Sequence, residues 1–324
     1  MSCITSTNPA DNYQVLGAVE CTNAAAITQA VLMAHQAKTI WARLSPKQRA
    51  EKLNPFLVEL QQKKQQLAEL VSKEIGRPIT QSLAELDWDE QYLTWFLTEG
   101  PKHLETETTF VDESQTHCIS YEPLGVAAVI APWNSPFNNC MWGVIPNLVA
   151  GNTVVFKHAK ECLLSAQFID EMMRACHLPD GVFASIYGDH TAATQLVNEE
   201  IDLIWFTGSS VVGRDLAALA GKKMIRAVLE LGGSNPSIVF EDADLTSAIP
   251  AIVQTRWRNA GQTCDALKRL IVHEKIYPQL LAELKNQVSA LKIGKALDPT
   301  TEISSLASAK QVATLSAQVA DSVA

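Results

Sequence analysis

At 324 residues, 47% apolar and 19% charged, the chain can build the cores of two domains and lacks a disordered composition. Its 26 lysines and arginines against 35 acidic residues give a net charge of −9 with no basic stripe, so nucleic acid is not an expected partner. Seven scattered cysteines without CxxC spacing, no signal-peptide pattern and no membrane-length apolar run argue against disulfides, a metal site and a membrane, and point to a reducing cytoplasm.

The first hundred residues read as helices. Asn23 can cap a run to about Trp41, and Ser45-Pro46 supplies an N-cap with proline at the first helical position. The next helix carries Leu53, Leu57, Leu60, Leu67 and Leu70, stops at Gly76 and Pro78, and meets a kink or restart at Pro55. A third spans about Gln81 to Glu99. From Thr106 to Tyr121, threonines and β-branched residues around Asp112-Glu113-Ser114 predict a hairpin.

From Gly125 onward, short apolar strands alternate with helical segments. The strands are Val126–Ala131, Thr153–Lys157, Val182–Ile186, Leu203–Phe206 and Ala227–Leu231. The helices fall near Phe137–Val149, Cys162–Cys176, Thr191–Val197 and Val211–Ala220. This alternation predicts an α/β fold with a parallel, dinucleotide-type sheet. After Gly232-Gly233 it repeats: strand Pro236–Phe240, helix Asp244–Arg258, strand Arg269–His273, helix Ile276–Leu291. A domain boundary is expected at the glycine pair, dividing 1–231 from 232–324. Val312, Leu315, Val319 and Val323 then fall at helical spacing, and the expectation is that this apolar stripe meets either a missing C-terminal part or a partner.

Five motifs stand in order along this frame: Pro132-Trp133-Asn134, Gly151-Asn152-Thr153-Val154-Val155-Phe156-Lys157, Phe206-Thr207-Gly208-Ser209, Glu230-Leu231-Gly232-Gly233 and Gly261-Gln262-Thr263-Cys264. Together they resemble the aldehyde dehydrogenase superfamily from about residue 20 to the end. Leu229–Ser234 and Lys157-His158-Ala159 are most similar to succinate-semialdehyde dehydrogenases. The resemblance implies a Rossmann-type domain followed by an incomplete second α/β catalytic domain, since the chain ends before the family's Glu-Ile-Phe-Gly-Pro segment.

The chemistry of that family assigns roles to residues here. A cysteine is ordinarily a small buried hydrophobe, but Cys264 follows a Gly-Gln-Thr loop, and a thiolate can both add to an aldehyde carbonyl and leave again. The side-chain amide of Asn134 and the backbone N–H of Cys264 would hold the oxyanion. Glu230, ending an apolar strand, would activate water, with desolvation expected to raise its pKa. Gly232 and Gly233 would let the backbone pass close to the nicotinamide.

For NADP or NAD, the resemblance implies that Lys157 bonds the adenosine ribose and that Thr207, Gly208 and Ser209 present helix amides to the pyrophosphate. It also places Ala131, Pro132, Trp133, His158, Val212 and Leu231 around the dinucleotide. Gly188 alone remains of an expected glycine-rich turn. Lys160 stands where NAD-preferring relatives often carry glutamate, which favours NADP.

Two residues bear on the substrate and disagree. Arg258, six before Cys264, matches an arginine that grips the distal carboxylate in succinate-semialdehyde dehydrogenases. Trp142, eight after Asn134, replaces a second arginine and suits a neutral aldehyde. Succinic semialdehyde is the first expectation. Asp265 would oppose thiolate formation if it pointed inward. A truncated homologue that at most binds nucleotide, and an acylating relative, are the alternative readings; Glu230 argues against the second. The hairpin resembles the family's oligomerisation arm, which implies a homodimer or homotetramer for the complete protein.

Overall fold

The computed structural model describes residues 2–323. Its centre is a five-stranded parallel sheet of β5 (Val126–Ile130), β6 (Thr153–Lys157), β7 (Phe183–Ile186), β8 (Leu203–Thr207) and β9 (Arg226–Glu230), in the order β7-β6-β5-β8-β9. Every residue of β5 and β6 is buried, as strands covered on both faces must be. Successive side chains alternate between the faces. Ala127, Val129, Val154 and Phe156 enter one core with α2 (Pro46–Ile75), α3 (Ile79–Thr98), α4 (Pro136–Ala150) and α5 (Leu163–Arg174). Val126, Ala128, Ile130 and Val155 enter the opposite core with α1 (Ala24–Ala42), α6 (His190–Asn198) and α7 (Ser210–Lys223).

The strand order reverses direction at β5. The chain runs outward through β6 and β7, then returns to β8 on the other flank of β5. A crevice therefore opens beyond the carboxyl ends of β5 and β8, the position where open α/β sheets bind ligands. Ala131 and Thr207 stand at its lip.

The helical caps follow the sequence. Asn23 accepts the Ala26 N–H, Ser45 and Gln48 form a reciprocal capping box, and Gly76 ends α2 in a left-handed conformation at φ 74°. The helix does not restart at Pro55: α2 is one 30-residue helix with Pro55 inside it, docked along its length through Leu53, Phe56, Leu60 and Leu67. Packing of that face outweighs one lost backbone donor.

The opening residues correct the helical expectation. They form an antiparallel pair, β1 (Cys3–Asn8) and β2 (Gln14–Glu20), with Cys3 opposite Glu20. Few large apolar residues mark these strands, so periodicity does not reveal them. Their anchor is the buried Glu74 of α2. Its carboxylate accepts the Ser6 hydroxyl at 2.6 Å, the Leu164 and Ser165 N–H groups at 2.9 and 2.7 Å, and the Ser165 hydroxyl at 2.6 Å. The hairpin at β3 (Glu107–Val111) and β4 (Thr116–Ile119) forms as expected, exposed throughout, its turn closed by Asp112.

After Gly233, β10 (Asn235–Val239), α8 (Leu245–Trp257), β11 (Leu267–Val272) and α9 (Tyr277–Ala290) gather a separate core around Ile249 and Leu280, with β10 and β11 paired in parallel. The segment after α9 leaves that core and returns to α3. Ile79 donates its N–H to Ala296, Gln81 its amide to the Glu302 carbonyl, and Ala307 is buried in the first core. The last helix, α10 (Ala309–Val323), has no buried residue, and Val312, Leu315, Val319 and Val323 are exposed.

Burial pushes the Glu74 pKa up and its four donors pull it back. Those donors make the site specific for an all-acceptor group. Glu74→Gln should destabilise the fold by about 1–3 kcal/mol, read as a lower urea midpoint; a midpoint equal to wild type would refute this anchoring role.

Candidate active site

A cleft of about 1770 Å³ opens at the strand ends between the central sheet and the β10–β11 unit. Asn134, Glu230 and Cys264 all line it, although they are far apart in sequence. So do Pro132, Trp133, Thr207, Gly208, Ser209 and Leu231 from the expected dinucleotide set, together with Arg258 and Trp142.

Each arrives on a different element. Asn134 follows β5 on the turn that starts α4, Glu230 ends β9 opposite Thr207 of β8, and Cys264 lies between α8 and β11. The Gly208 N–H donates to the Glu230 carbonyl at 2.9 Å, tying the two strand ends together. Close packing then needs glycine: a Cβ on Gly213 of α7 would lie 2.4 Å from a Leu231 methyl, and one on Gly208 the same distance from the Phe206 ring. The Glu230 side chain is exposed, however, because β9 is the edge of the sheet. The desolvation expected from its apolar strand is therefore absent.

The loop before Cys264 is conformationally unusual. Asn259, Ala260 and Gly261 all have positive φ, at 50°, 52° and 76°. For non-glycine residues this costs free energy that the surroundings must supply. They do so through hydrogen bonds from other elements. The Asn259 N–H donates to Gln81 of α3 at 2.7 Å, the Asn259 amide to the Asn134 carbonyl at 3.1 Å, and the Asn134 amide to the Gln262 carbonyl at 3.0 Å. The Gln262 side chain donates to the Asn259 carbonyl and accepts the Ala307 N–H, both at 3.0 Å. The expected oxyanion donor and the nucleophile loop are thus directly bonded.

Behind them sits a group that the sequence reading did not single out. Arg77, fully buried at the start of α3, donates to Glu85, to the Asn134 carbonyl and, at 3.0 Å, to the Ser135 hydroxyl. Ser135 donates in turn to Glu85 at 2.7 Å. Asp89, one helical turn on, accepts the Asn138 amide at 2.5 Å; burial and then the charge of Glu85 hold its pKa well above the usual carboxylate range. Only the Gly76-Arg77-Pro78 boundary position hinted at a fixed role.

Asp265 does not turn against the thiol. Arg258 donates to its carboxylate at 2.6 Å. Burial opposes ionisation of Asp265, but the bonds from Arg258 and Thr263 prevail and leave its pKa lowered. The candidate carboxylate-binding arginine is therefore already paired. Trp142 stands against Tyr92, ring centroids 5.0 Å apart. Cys264 is exposed, whereas burial raises the thiols of Cys140, Cys162 and Cys176, the last to about 11.

Six expected cofactor residues lie outside the cleft lining. Ala131 and Lys157 end β5 and β6, where the Ala131 N–H donates to the Lys157 carbonyl at 3.1 Å. Lys157 is buried, and desolvation lowers its pKa against the pull of nearby acidic groups. His158 is buried against Phe156 and held neutral, its pKa lowered to about 3 by burial and by Lys157. Lys160 is exposed beside them, and Val212 is exposed on α7, its N–H capped by Ser209. Gly188 is buried in the β7–α6 turn, but the Asp189 carboxylate caps α6 there. That negative cap leaves the α7 terminus as the better anion cradle.

Arg77→Met would remove one donor each from Glu85, Ser135 and the Asn134 carbonyl and leave Glu85 without its charge partner. Its expected cost is about 3 kcal/mol, with Arg77→Lys recovering part of it in chemical denaturation; a Met variant as stable as wild type would contradict the network.

The aldehyde dehydrogenase family matches residues 2–324. The NAD(P)+ succinate semialdehyde dehydrogenase Sad of Escherichia coli K12 is 35% identical over 302 residues, 93% of this chain and 64% of that protein. The NADP+ succinate-semialdehyde dehydrogenase GabD of the same organism is 33% identical over 320 residues, 98% of this chain and 66% of that protein. A crystal structure described as an E. coli NADP dependent enzyme superposes with a TM-score of 0.94 at 32% identity, covering 99% of this chain and 67% of that one. The chain therefore spans slightly less than two thirds of the length of these curated relatives. With its strand order, its cleft and these matches, the chain belongs to the aldehyde dehydrogenase family.

Proposed function

We propose that the cleft serves the NAD(P)-dependent oxidation of an aldehyde to its carboxylic acid, with Cys264 as nucleophile, Asn134 as oxyanion donor and Glu230 as base. The observation that carries this reading is their shared cleft, with the Asn134 amide bonded to the Cys264 loop. The thiolate of Cys264 adds to the carbonyl carbon, a C–S bond forms, and the carbonyl electron pair moves onto oxygen. The Asn134 amide, two residues from the sulfur through Gln262, turns to that oxygen as charge develops. When bound, the dinucleotide supplies the hydride acceptor that takes the adduct to a thioester. Glu230 then removes a proton from water, which adds to the thioester carbonyl; the C–S bond breaks and the thiolate leaves.

The chain's own residues fit a dinucleotide. Gly208 and Ser209 open α7 at the crevice, and a side chain at Gly232 would meet nothing nearer than the Ser210 hydroxyl at 3.7 Å, so the backbone there is open to a close ligand. Lys157 and Lys160 at the β6 end would take the adenosine ribose and a 2′-phosphate. NADP is the favoured cofactor and NAD the other.

Succinic semialdehyde is the substrate that Arg258 and the names of the relatives favour. The Arg258–Asp265 bond and the tryptophan at 142 favour a second reading, a neutral aldehyde. The exposed β3–β4 arm supports a homodimer or homotetramer for the complete protein.

The purified 324-residue chain, dialysed against NADP and then given aldehyde, should reduce the dinucleotide, and Cys264→Ser should lower that rate by about a thousandfold or more. Dinucleotide binding without reduction for any aldehyde would instead support a homologue that at most binds nucleotide. Lys160→Glu should move the NADP/NAD ratio of kcat/KM about tenfold toward NAD; an unmoved ratio would remove Lys160 from the cofactor site.

A further inference from the structure

The aldehyde end of the cleft carries two features that the catalytic steps do not use: a paired arginine beside the nucleophile and a row of aromatic rings leading away from it. Arg258 would receive an anionic substrate in competition with the Asp265 carboxylate, which its Nη2 holds at 2.6 Å. Asp265 is covalently tethered next to Cys264, so it competes at a permanently high local concentration. An incoming carboxylate must share the guanidinium with it or displace it, bringing a second negative charge to the same cation.

The other charges give an anion no compensating field. Arg77 is neutralised by Glu85, and the remaining cations on the lining, Arg256 and Lys268, are matched in number by Glu230 and Glu302. A balanced wall neither attracts nor concentrates a negatively charged aldehyde.

The apolar surface points the opposite way. Trp88 and Tyr92, four residues apart on one face of α3, and Trp142 on α4 form a continuous row, with centroids 5.1 Å apart for the first pair and 5.0 Å for the second. Phe96 closes it edge-on to Trp142 at 5.8 Å. Trp88 and Trp142 remain 52% and 39% exposed although they line the cleft, so their faces are available to a ligand. Trp142 lies six residues beyond Pro136, roughly 9 Å along α4 at its usual rise. The rings offer apolar area and no partner for a distal carboxylate. An aryl or extended alkyl body matches that surface.

Resting on the oxidation proposed above, we infer that the aldehyde selected by this site is uncharged, with an aromatic or long apolar body, and that Asp265 sets the preference by occupying Arg258. Asp265 acts as a specificity residue through a partner, and the aromatic row supplies the contact area.

The test reads occupancy, which does not require turnover. Iodoacetamide alkylates Cys264 in the 324-residue chain, its peptide is followed by mass spectrometry, and hydrocinnamaldehyde or succinic semialdehyde is added as protectant. Hydrocinnamaldehyde should protect at a concentration about tenfold lower than succinic semialdehyde. Asp265→Asn should move that ratio about fivefold toward succinic semialdehyde, and Arg258→Met added to it should cancel the move. Trp142→Ala should weaken protection by hydrocinnamaldehyde selectively, which keeps the test informative if Asp265→Asn fails to fold. Better protection of wild type by succinic semialdehyde, no protection by either aldehyde, or a ratio unmoved by Asp265→Asn overturns the inference. Failure of the oxidation itself is a separate result, seen as protection without dinucleotide reduction.

Discussion

A parallel sheet buried on both faces constrains everything else in this molecule. Its backbone groups can be paired only strand to strand, and its two apolar faces must each be covered, so helices are forced onto both sides and the connections are forced to the ends. Because the strand order reverses at β5, two connections diverge at one carboxyl edge and cannot fill the space between them. The cleft is the consequence of that divergence. Asn134 and Gly208 occupy it because they lie in those two connections, four residues beyond β5 and one beyond β8.

The sheet alone does not bring the sulfur there. Cys264 belongs to a unit with its own small core, and it is delivered by polar contacts between elements. Gln81, Asn134 and Gln262 hold its loop, while Arg77 fixes the turn on which Asn134 stands. These are part-buried, mutually dependent hydrogen bonds, where one missing partner leaves a polar group unpaired. The division of labour is clear: apolar burial shapes the cleft, and a polar network sets the position of the reactive groups within it.

Much of this was legible in the sequence. The strands from β5 onward are short apolar runs between helical segments, so period and length sufficed, and Asn23, Ser45 and Gly76 carry cap chemistry that works locally. The first hairpin was not legible, because Cys3–Asn8 and Gln14–Glu20 bury little and their anchor, Glu74, is 68 residues away from Ser6. The three candidate residues Cys264, Asn134 and Glu230 could be named from motif chemistry and spacing. Their surroundings could not. The exposure of Glu230 depends on β9 being the edge strand, and the engagement of Arg258 by Asp265 depends on how a short loop turns. Arg77 escaped notice because an arginine after a helix-ending glycine looks like an ordinary surface residue until tertiary contacts enclose it.

The left-handed run at Asn259, Ala260 and Gly261 has one more consequence. Two of those residues are held away from their own conformational minimum, so the string before Cys264 does not by itself encode the shape it adopts. Excised as a peptide, it would relax to something else. The address of the sulfur is thus written into α3 and the Asn134 turn, more than a hundred residues upstream, and drift at those remote positions would be felt as chemistry before it was felt as shape.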